Sequence, residues 1–190
     1  MATATATVTK KITADEFMDM DPGEGLYELV DGEIIEVPLP EYIHGHVCGN
    51  AAFAFIAYAR TTGHGHAATN DSMVKIDTFN VRGADVSYYS EARWPKDRIG
   101  KERPPVPPDL VVEVLSPSDR PTKFLKKVLN YLDAGVSVVL ALHPAKKTVT
   151  IYRIDAEPDI LRETDVLENI PELPGFRCQV AEFFVCPPTI

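Results

Sequence analysis

Glu113 stands inside the run Leu110-Val111-Val112-Glu113-Val114-Leu115, whose other five members are all aliphatic. Such a run reads as a strand buried on both faces. An ionised carboxylate placed there loses hydration worth several kcal/mol unless a cation or strong donors replace the water. Three further charged residues occupy ordered stretches: Glu28 within Tyr27-Glu28-Leu29-Val30, Asp85 within Ala84-Asp85-Val86-Ser87, and Lys127 in the helical stretch after Glu113. If the strands carrying Asp85 and Glu113 are neighbours, their carboxylates converge. Two or three carboxylate oxygens, a backbone carbonyl and waters form the ligand set that Mg2+ or Mn2+ prefers. Such a cation activates water and steadies an in-line phosphoryl transition state.

Other candidates weigh less. Asp109 shares a strand face with Glu113, but at about 3.3 Å per residue the two are roughly 13 Å apart, too far for one metal to bridge, so Asp109 reads as serving the start of the strand or supporting the ligands from behind. Lys123, Lys127 and Tyr131 recur at i, i+4 and i+8, beside the apolar stripe of Phe124, Val128 and Leu132. From there a long side chain can reach the sheet edge; the ordinary reading of Lys123, Lys126 and Lys127 is a solvated face, and for Lys127, following Glu113 in order, the two readings stand level. Taken singly, Asp85 has the ordinary reading of an edge residue facing water, and Glu28 that of a partner for a cation across its own hairpin. His44 falls in the first turn of a long helix. Gly63-His64-Gly65-His66 has a metal-affine composition, but with no acidic or cysteine partner in phase it reads as a flexible turn, as does His143 before Pro144.

The elements that must position these residues follow from local signals. Thr13-Ala14-Asp15-Glu16 has the spacing of a capping box, opening a short helix that ends before Pro22-Gly23. Asp31-Gly32 joins two strand-like runs between Tyr27 and Val37 as a tight hairpin. Ile43, Val47, Ala51, Phe55 and Tyr58 recur at helical spacing up to about Thr62, with Gly63 as terminator. Strands are expected over Met73–Ile76 and Ala84–Tyr89. The stretch from Glu91 to Pro108 is charged and proline-rich and reads as a mobile loop. After the central strand, Ser118 or Asp119 can cap a helix with Pro121 in its first turn and Gly135 at its end. Strands over Val136–Leu142 and Thr148–Arg153 follow, then a weaker strand near Ile160, a turn at Leu173-Pro174-Gly175-Phe176 and a short helix near Val180–Val185.

With 190 residues, 45% of them hydrophobic and 25% charged, the chain suits one globular domain. Residues 12–190 are assigned to it, and the Ala/Thr-rich residues 1–11 read as a disordered N-terminal tail. A net charge of −9 argues against coating nucleic acid by bulk attraction while leaving room for a local basic patch. Cys48, Cys178 and Cys186 form no CxxC pair and are odd in number, so neither a disulfide framework nor a structural zinc site is indicated and a reducing cytoplasm is expected. No signal-peptide pattern and no run of about 18 apolar residues points to export or a membrane.

Five motifs in order resemble the Uma family of restriction endonucleases, within the PD-(D/E)XK nuclease superfamily. They are Tyr-Glu-Leu-Val-Asp-Gly-Glu at 27–33, the helix opening on His44, Ala-Asp-Val-Ser at 84–87, Pro-Asp-Leu-Val-Val-Glu-Val-Leu-Ser-Pro-Ser at 108–118, and Lys127 four residues before Tyr131-Leu-Asp-Ala-Gly-Val. The resemblance spans Thr13 to Phe184. It implies an α/β, restriction-endonuclease-like fold: a mixed, curved central β-sheet flanked by α-helices. It also implies that Asp85 and Glu113 bind a divalent metal, Mg2+ or Mn2+, with the Val114 carbonyl as third ligand. Glu28 takes the early acidic position, binding a second metal or accepting a proton. Lys127 replaces the superfamily lysine that usually stands two residues after the metal-binding glutamate, where this chain has Leu115, and His44 matches the histidine that opens the family's long helix. Two departures remove no ligand: Ala84 stands where the family usually has proline, and the strand from Val136 lacks an aromatic pair. The implied activity is Mg2+-dependent hydrolysis of DNA phosphodiester bonds. The segment from Arg93 to Arg103 would grip the phosphate backbone, and a homodimer would suit cutting of both strands. The rival readings are a catalytically silent binding or regulatory module of the same fold, and a hydrolase of smaller phosphodiesters.

Overall fold

In the computed structural model, residues 10–117 and 119–186 are described. The expected tail falls mostly on residues 1–9, outside the described residues, as does Ser118. Thr13 opens helix α1 (Ala14–Asp19) with both halves of its capping box made: its hydroxyl accepts the Glu16 N–H at 3.2 Å, and the Glu16 carboxylate accepts the Thr13 N–H at 2.8 Å. Strands β1 (Leu26–Val30) and β2 (Glu33–Val37) form the expected hairpin, with Asp31 (φ 52°) and Gly32 (φ 82°) supplying two left-handed residues that match the twist of the strands. Helix α2 (Tyr42–Thr62) ends at Gly63 in the left-handed region. There follow β3 (Gly65–Lys75), β4 (Val81–Ser90), β5 (Leu110–Val114), α3 (Pro121–Asp133), β6 (Val138–His143), β7 (Thr148–Tyr152) and β8 (Asp159–Arg162). A separate ribbon of β9 (Val166–Glu168) and β10 (Arg177–Gln179) precedes a 3-10 turn at Val180–Phe184.

The main sheet runs β2-β1-β4-β5-β6-β7-β8, with β3 also paired to β4. β5 and β6 are parallel, joined by α3 as crossover, and the other pairs are antiparallel, which makes the sheet mixed. Helices cover both faces. Val47, Ala51 and Phe55 of α2 pack with Val86, Tyr88, Val112 and Leu140 on one; Val128, Tyr131 and Leu132 of α3 pack with Ala84, Val111 and Val139 on the other. Along β5, Leu110, Val112 and Val114 therefore face α2 while Val111 faces α3. The period of two turns Glu113 toward α3, the helix that carries Lys127.

Three expectations are corrected. The glycine-histidine run is not a free turn: β3 already begins at Gly65, which pairs with Ser90, and His66 pairs with Tyr89. A Cβ at Gly65 would collide with the Tyr89 carbonyl, so the glycine marks a close backbone approach. The segment from Glu91 to Pro108 is not loose either. Trp94 is buried, Arg93 donates to the carbonyls of Pro107 and Gly135, and Arg103 reaches Asp19 and the Met18 carbonyl. At α3, the capping position is Arg120, with Pro121 in the first turn as expected; Asp119 instead accepts the Ser116 N–H at 2.7 Å.

Candidate active site

β4 and β5 share three register pairs, Val86 with Val112, Ser87 with Val111 and Tyr88 with Leu110. Beyond them β4 turns to β1 through Leu29–Val81, while β5 stays with β6. One step further in the same register, Asp85 would stand opposite Glu113. The Asp85 side chain takes over where the ladder stops, accepting the Val114 N–H at 2.6 Å in place of a backbone carbonyl. The same carboxylate oxygen lies 3.4 Å from His44 Nε2 at the start of α2. That contact raises the His44 pKa above the ordinary histidine value, against the effect of burial. The Thr69 hydroxyl donates to the Asp85 carbonyl and steadies the strand behind it.

Glu113 is 5% exposed and receives two donors from α3. Lys127 Nζ lies 2.8 Å from one oxygen and the Tyr131 hydroxyl donates to the other at 2.7 Å. Burial nonetheless pushes the Glu113 carboxyl up to about 8, Lys127 pulling the other way. Lys127 also meets Glu28 at 3.1 Å and the Gly83 carbonyl at 3.0 Å, so its three N–H donors have three partners. Burial works against the ammonium, but Glu113, Glu28 and Asp85 together hold its pKa above the ordinary lysine value. Lys127 thus keeps its proton beside these carboxylates.

Glu28 lies on the β1 side of this split. One oxygen accepts the Gly83 N–H and faces Lys127; the other pairs with Arg82 at 2.9 Å, which itself donates to Asn130 of α3. Burial raises the Glu28 carboxyl, yet Lys127 and Arg82 outweigh it and leave the pKa below the usual glutamate value. Glu28, Asp85, Glu113, Val114, Lys127 and His44, all singled out from the sequence, are therefore gathered where the two strands part. Asp109 sits at the other end of β5, accepting the Ser90 N–H.

Four contributors escaped the sequence reading. Arg82 falls between the strands expected over Met73–Ile76 and Ala84–Tyr89, and β4 in fact begins ahead of it, at Val81. Tyr131 was visible on the Lys127 stripe, but its hydrogen bond to Glu113 was not. Asp71 is delivered by an irregularity in β3, where the register slips between Thr69 and Ser72 and Asn70 and Asp71 both take positive φ. Burial and the nearby Asp85 raise its carboxyl. Cys48 lies one helical turn beyond His44, with Sγ 3.4 Å from Nδ1; the i, i+4 spacing was the available signal. The segment from Arg93 to Arg103, by contrast, leaves β4 at its far end. From Asp85 to Ser90 the strand extends about 17 Å, so this segment does not border the carboxylates.

A profile of the family described as "Uma2: Putative restriction endonuclease" matches residues 14–181. The chain belongs to this family. A solved structure described as a "putative nuclease belonging to DUF820" from Anabaena variabilis is 22% identical and superposes with a TM-score of 0.79, over 91% of this chain and 97% of that one. At that identity the likeness establishes the fold, which is restriction-endonuclease-like. No curated protein matches the sequence. Among the described residues no helix is long and apolar enough to cross a membrane.

The Uma2 site of this chain suits a divalent cation. Four acidic residues, Glu28, Asp71, Asp85 and Glu113, face two permanent cations, Arg82 and Lys127, with His44 beside them. Burial is the main cause that raises the carboxyls of Glu113 and Asp71, and the neighbouring Asp85 adds to it. Oxygen donors with one imidazole are compatible with Mg2+ or Mn2+.

Proposed function

We propose that this Uma2 domain, residues 12–190, is a Mg2+- or Mn2+-dependent endodeoxyribonuclease. The observation that supports the reading is that Asp85 accepts the Val114 N–H, one residue from Glu113, where β4 and β5 part, with Lys127 held against Glu113. Asp85, Glu113 and the Val114 carbonyl would hold the cation, which supplies Lewis-acid stabilisation of phosphate charge and a more acidic water. The Val114 N–H already points to the Asp85 side, and in a strand the C=O of the same residue points to that side too.

Lys127 Nζ is held by Glu28, the Gly83 carbonyl and Glu113; when the cation takes up the Glu113 carboxylate, the donor now spent on Glu113 would be freed to steady charge on the phosphate or to orient the attacking water. Glu28, tied to Arg82, holds this lysine in place. His44 orients Asp85 or joins it as a ligand. A cleft of about 810 Å3 is lined by His44, Leu115 and Ser116 and runs to His143 and Lys146; it would hold a nucleic-acid strand on the His44 side of the site. Arg93 and Arg103 are committed to internal contacts, so within the basic segment phosphate contacts would fall to Lys96, Arg98 and Lys101. Cleavage of both DNA strands favours a homodimer, and three free cysteines suit the cytoplasm.

The test is calorimetric titration with Mn2+ alongside cleavage of supercoiled plasmid. Saturable binding lost in Glu113→Gln, together with Mn2+-dependent nicking abolished by a chelator, is expected. Binding that is absent, or indifferent to Glu113→Gln, overturns the reading. Binding without cleavage of plasmid or of small phosphodiesters would leave a silent module of nuclease fold.

A further inference from the structure

Three donors of different chemistry meet on the α2 side of Asp85. His44 and Cys48 are four residues apart on α2 and so lie on one helical face; Asp85 reaches toward them from β4. One ligand atom each from His44, Cys48 and Asp85 lie within 4.8 Å of one another. The closest approaches are 3.4 Å from Cys48 Sγ to His44 Nδ1 and 3.4 Å from His44 Nε2 to Asp85 Oδ2. Tetrahedral zinc, with bonds of about 2.3 Å to sulfur and about 2.0–2.2 Å to nitrogen and oxygen, sets neighbouring donors roughly 3.3–3.7 Å apart. The two contacts use opposite nitrogens of the His44 ring, and a metal takes only one of them, so the imidazole must turn until a single nitrogen faces both Cys48 Sγ and Asp85, closing a trio whose donors already lie within 4.8 Å of one another.

We propose that His44, Cys48 and Asp85 form a subsite for a thiophilic divalent transition metal, of the Zn2+ or Co2+ class, with one coordination position left open. The inference rests on the reading of Asp85 as a metal ligand and adds a second, chemically distinct way of using it. Mg2+ has little affinity for sulfur, whereas zinc and cobalt accept thiolate and imidazole readily. On binding, the Cys48 thiol gives its proton to solvent and the sulfur bonds the metal. Because both metal classes draw on Asp85, occupation of this subsite removes a ligand from the Glu113 side. The protein would thus be inhibited by zinc through Cys48, a residue with no part in the Mg2+ reading.

Cobalt makes the subsite visible without an activity assay. Adding Co2+ to the full chain is expected to produce a thiolate-to-cobalt charge-transfer band in the near ultraviolet. Cys48→Ser should abolish the band and weaken Co2+ affinity by on the order of 10- to 100-fold. Glu113→Gln should keep the band. Circular dichroism on Cys48→Ser and Cys48→Ala confirms that both fold, and the two variants should behave alike. The proposal is overturned by a wild-type protein with no such band, or by a band that survives Cys48→Ser and disappears in Cys178→Ser or Cys186→Ser. Loss of the band in Glu113→Gln likewise overturns it, since the subsite would not be distinct. The nuclease reading fails separately, through Mn2+ binding that ignores Glu113→Gln, whatever the cobalt spectrum shows.

Discussion

Replacing Glu113 with glutamine should change how stability depends on pH more than it changes stability at any one pH. In the folded protein burial lifts this carboxyl from 4.5 to about 8. Between those values the folded chain holds a proton that the unfolded chain has released, so the contribution is fully present below 4.5 and is lost as pH rises through about 8. At about 1.4 kcal/mol per pH unit, the interval from 4.5 to about 8 corresponds to roughly 5 kcal/mol. Glutamine has no such titration. Its carbonyl oxygen can keep the Tyr131 hydrogen bond, and Lys127 retains Glu28 and the Gly83 carbonyl. The loss of the Lys127 contact is then a nearly constant offset, and the slope is the signal. Urea unfolding of both proteins in chelator from pH 5 to pH 9 measures it. Wild type should lose several kcal/mol relative to Glu113→Gln across that range, which for a chain of this size is about 10–15 °C in Tm. Saturating Mn2+ should then restore wild type at high pH, by about 2.7 kcal/mol at a hundred times its Kd, and leave the variant unaffected. Parallel pH profiles would refute the reasoning, showing that Lys127 fully compensates the buried charge.

Lys127→Met removes a charge that touches Glu113 while keeping the length of the side chain. Plasmid cleavage is expected to fall about 100- to 1,000-fold while Mn2+ affinity rises, because Glu113 loses its competing cation; cleavage within tenfold of wild type would remove Lys127 from the reaction. Arg82→Met strips Glu28 and Asn130 of a buried guanidinium and should cost about 3 kcal/mol in urea unfolding at pH 7, the lower part of the range for a broken buried pair because Lys127 still contacts Glu28. Glu28 has a lowered pKa when folded, so its contribution is present above 4.5 and fades as pH falls through the folded value. Arg82→Met should accordingly narrow the gap to wild type in acid, and a gap that stays constant down to pH 3 would contradict the pairing.

Local chemistry along the chain already determined much of this protein. The Thr13 capping box, the Asp31-Gly32 hairpin, the Gly63 stop and the Pro121 helix start depend on residues a few positions apart, and each formed as their spacing required. A glutamate in an aliphatic strand announced the site for a similarly local reason: burial is readable from neighbours, and a buried charge demands a partner. Tertiary structure decided who the partners are. Only the parting of β4 from β5 leaves the Val114 N–H to Asp85, and only the packing of α3 sets Tyr131 and Lys127 on the two oxygens of Glu113. Asp71 arrives through a slip in strand register, Arg82 through a strand that starts earlier than expected, at Val81, and Cys48 through the docking of α2 beside Asp85. The segment after β4 looked mobile because charge and proline describe a chain without its contacts; Trp94, Arg93 and Arg103 found theirs in distant parts of the fold. Sequence spacing identifies which residues could do chemistry, but distances between strands and helices, which no local pattern encodes, determine which of them meet.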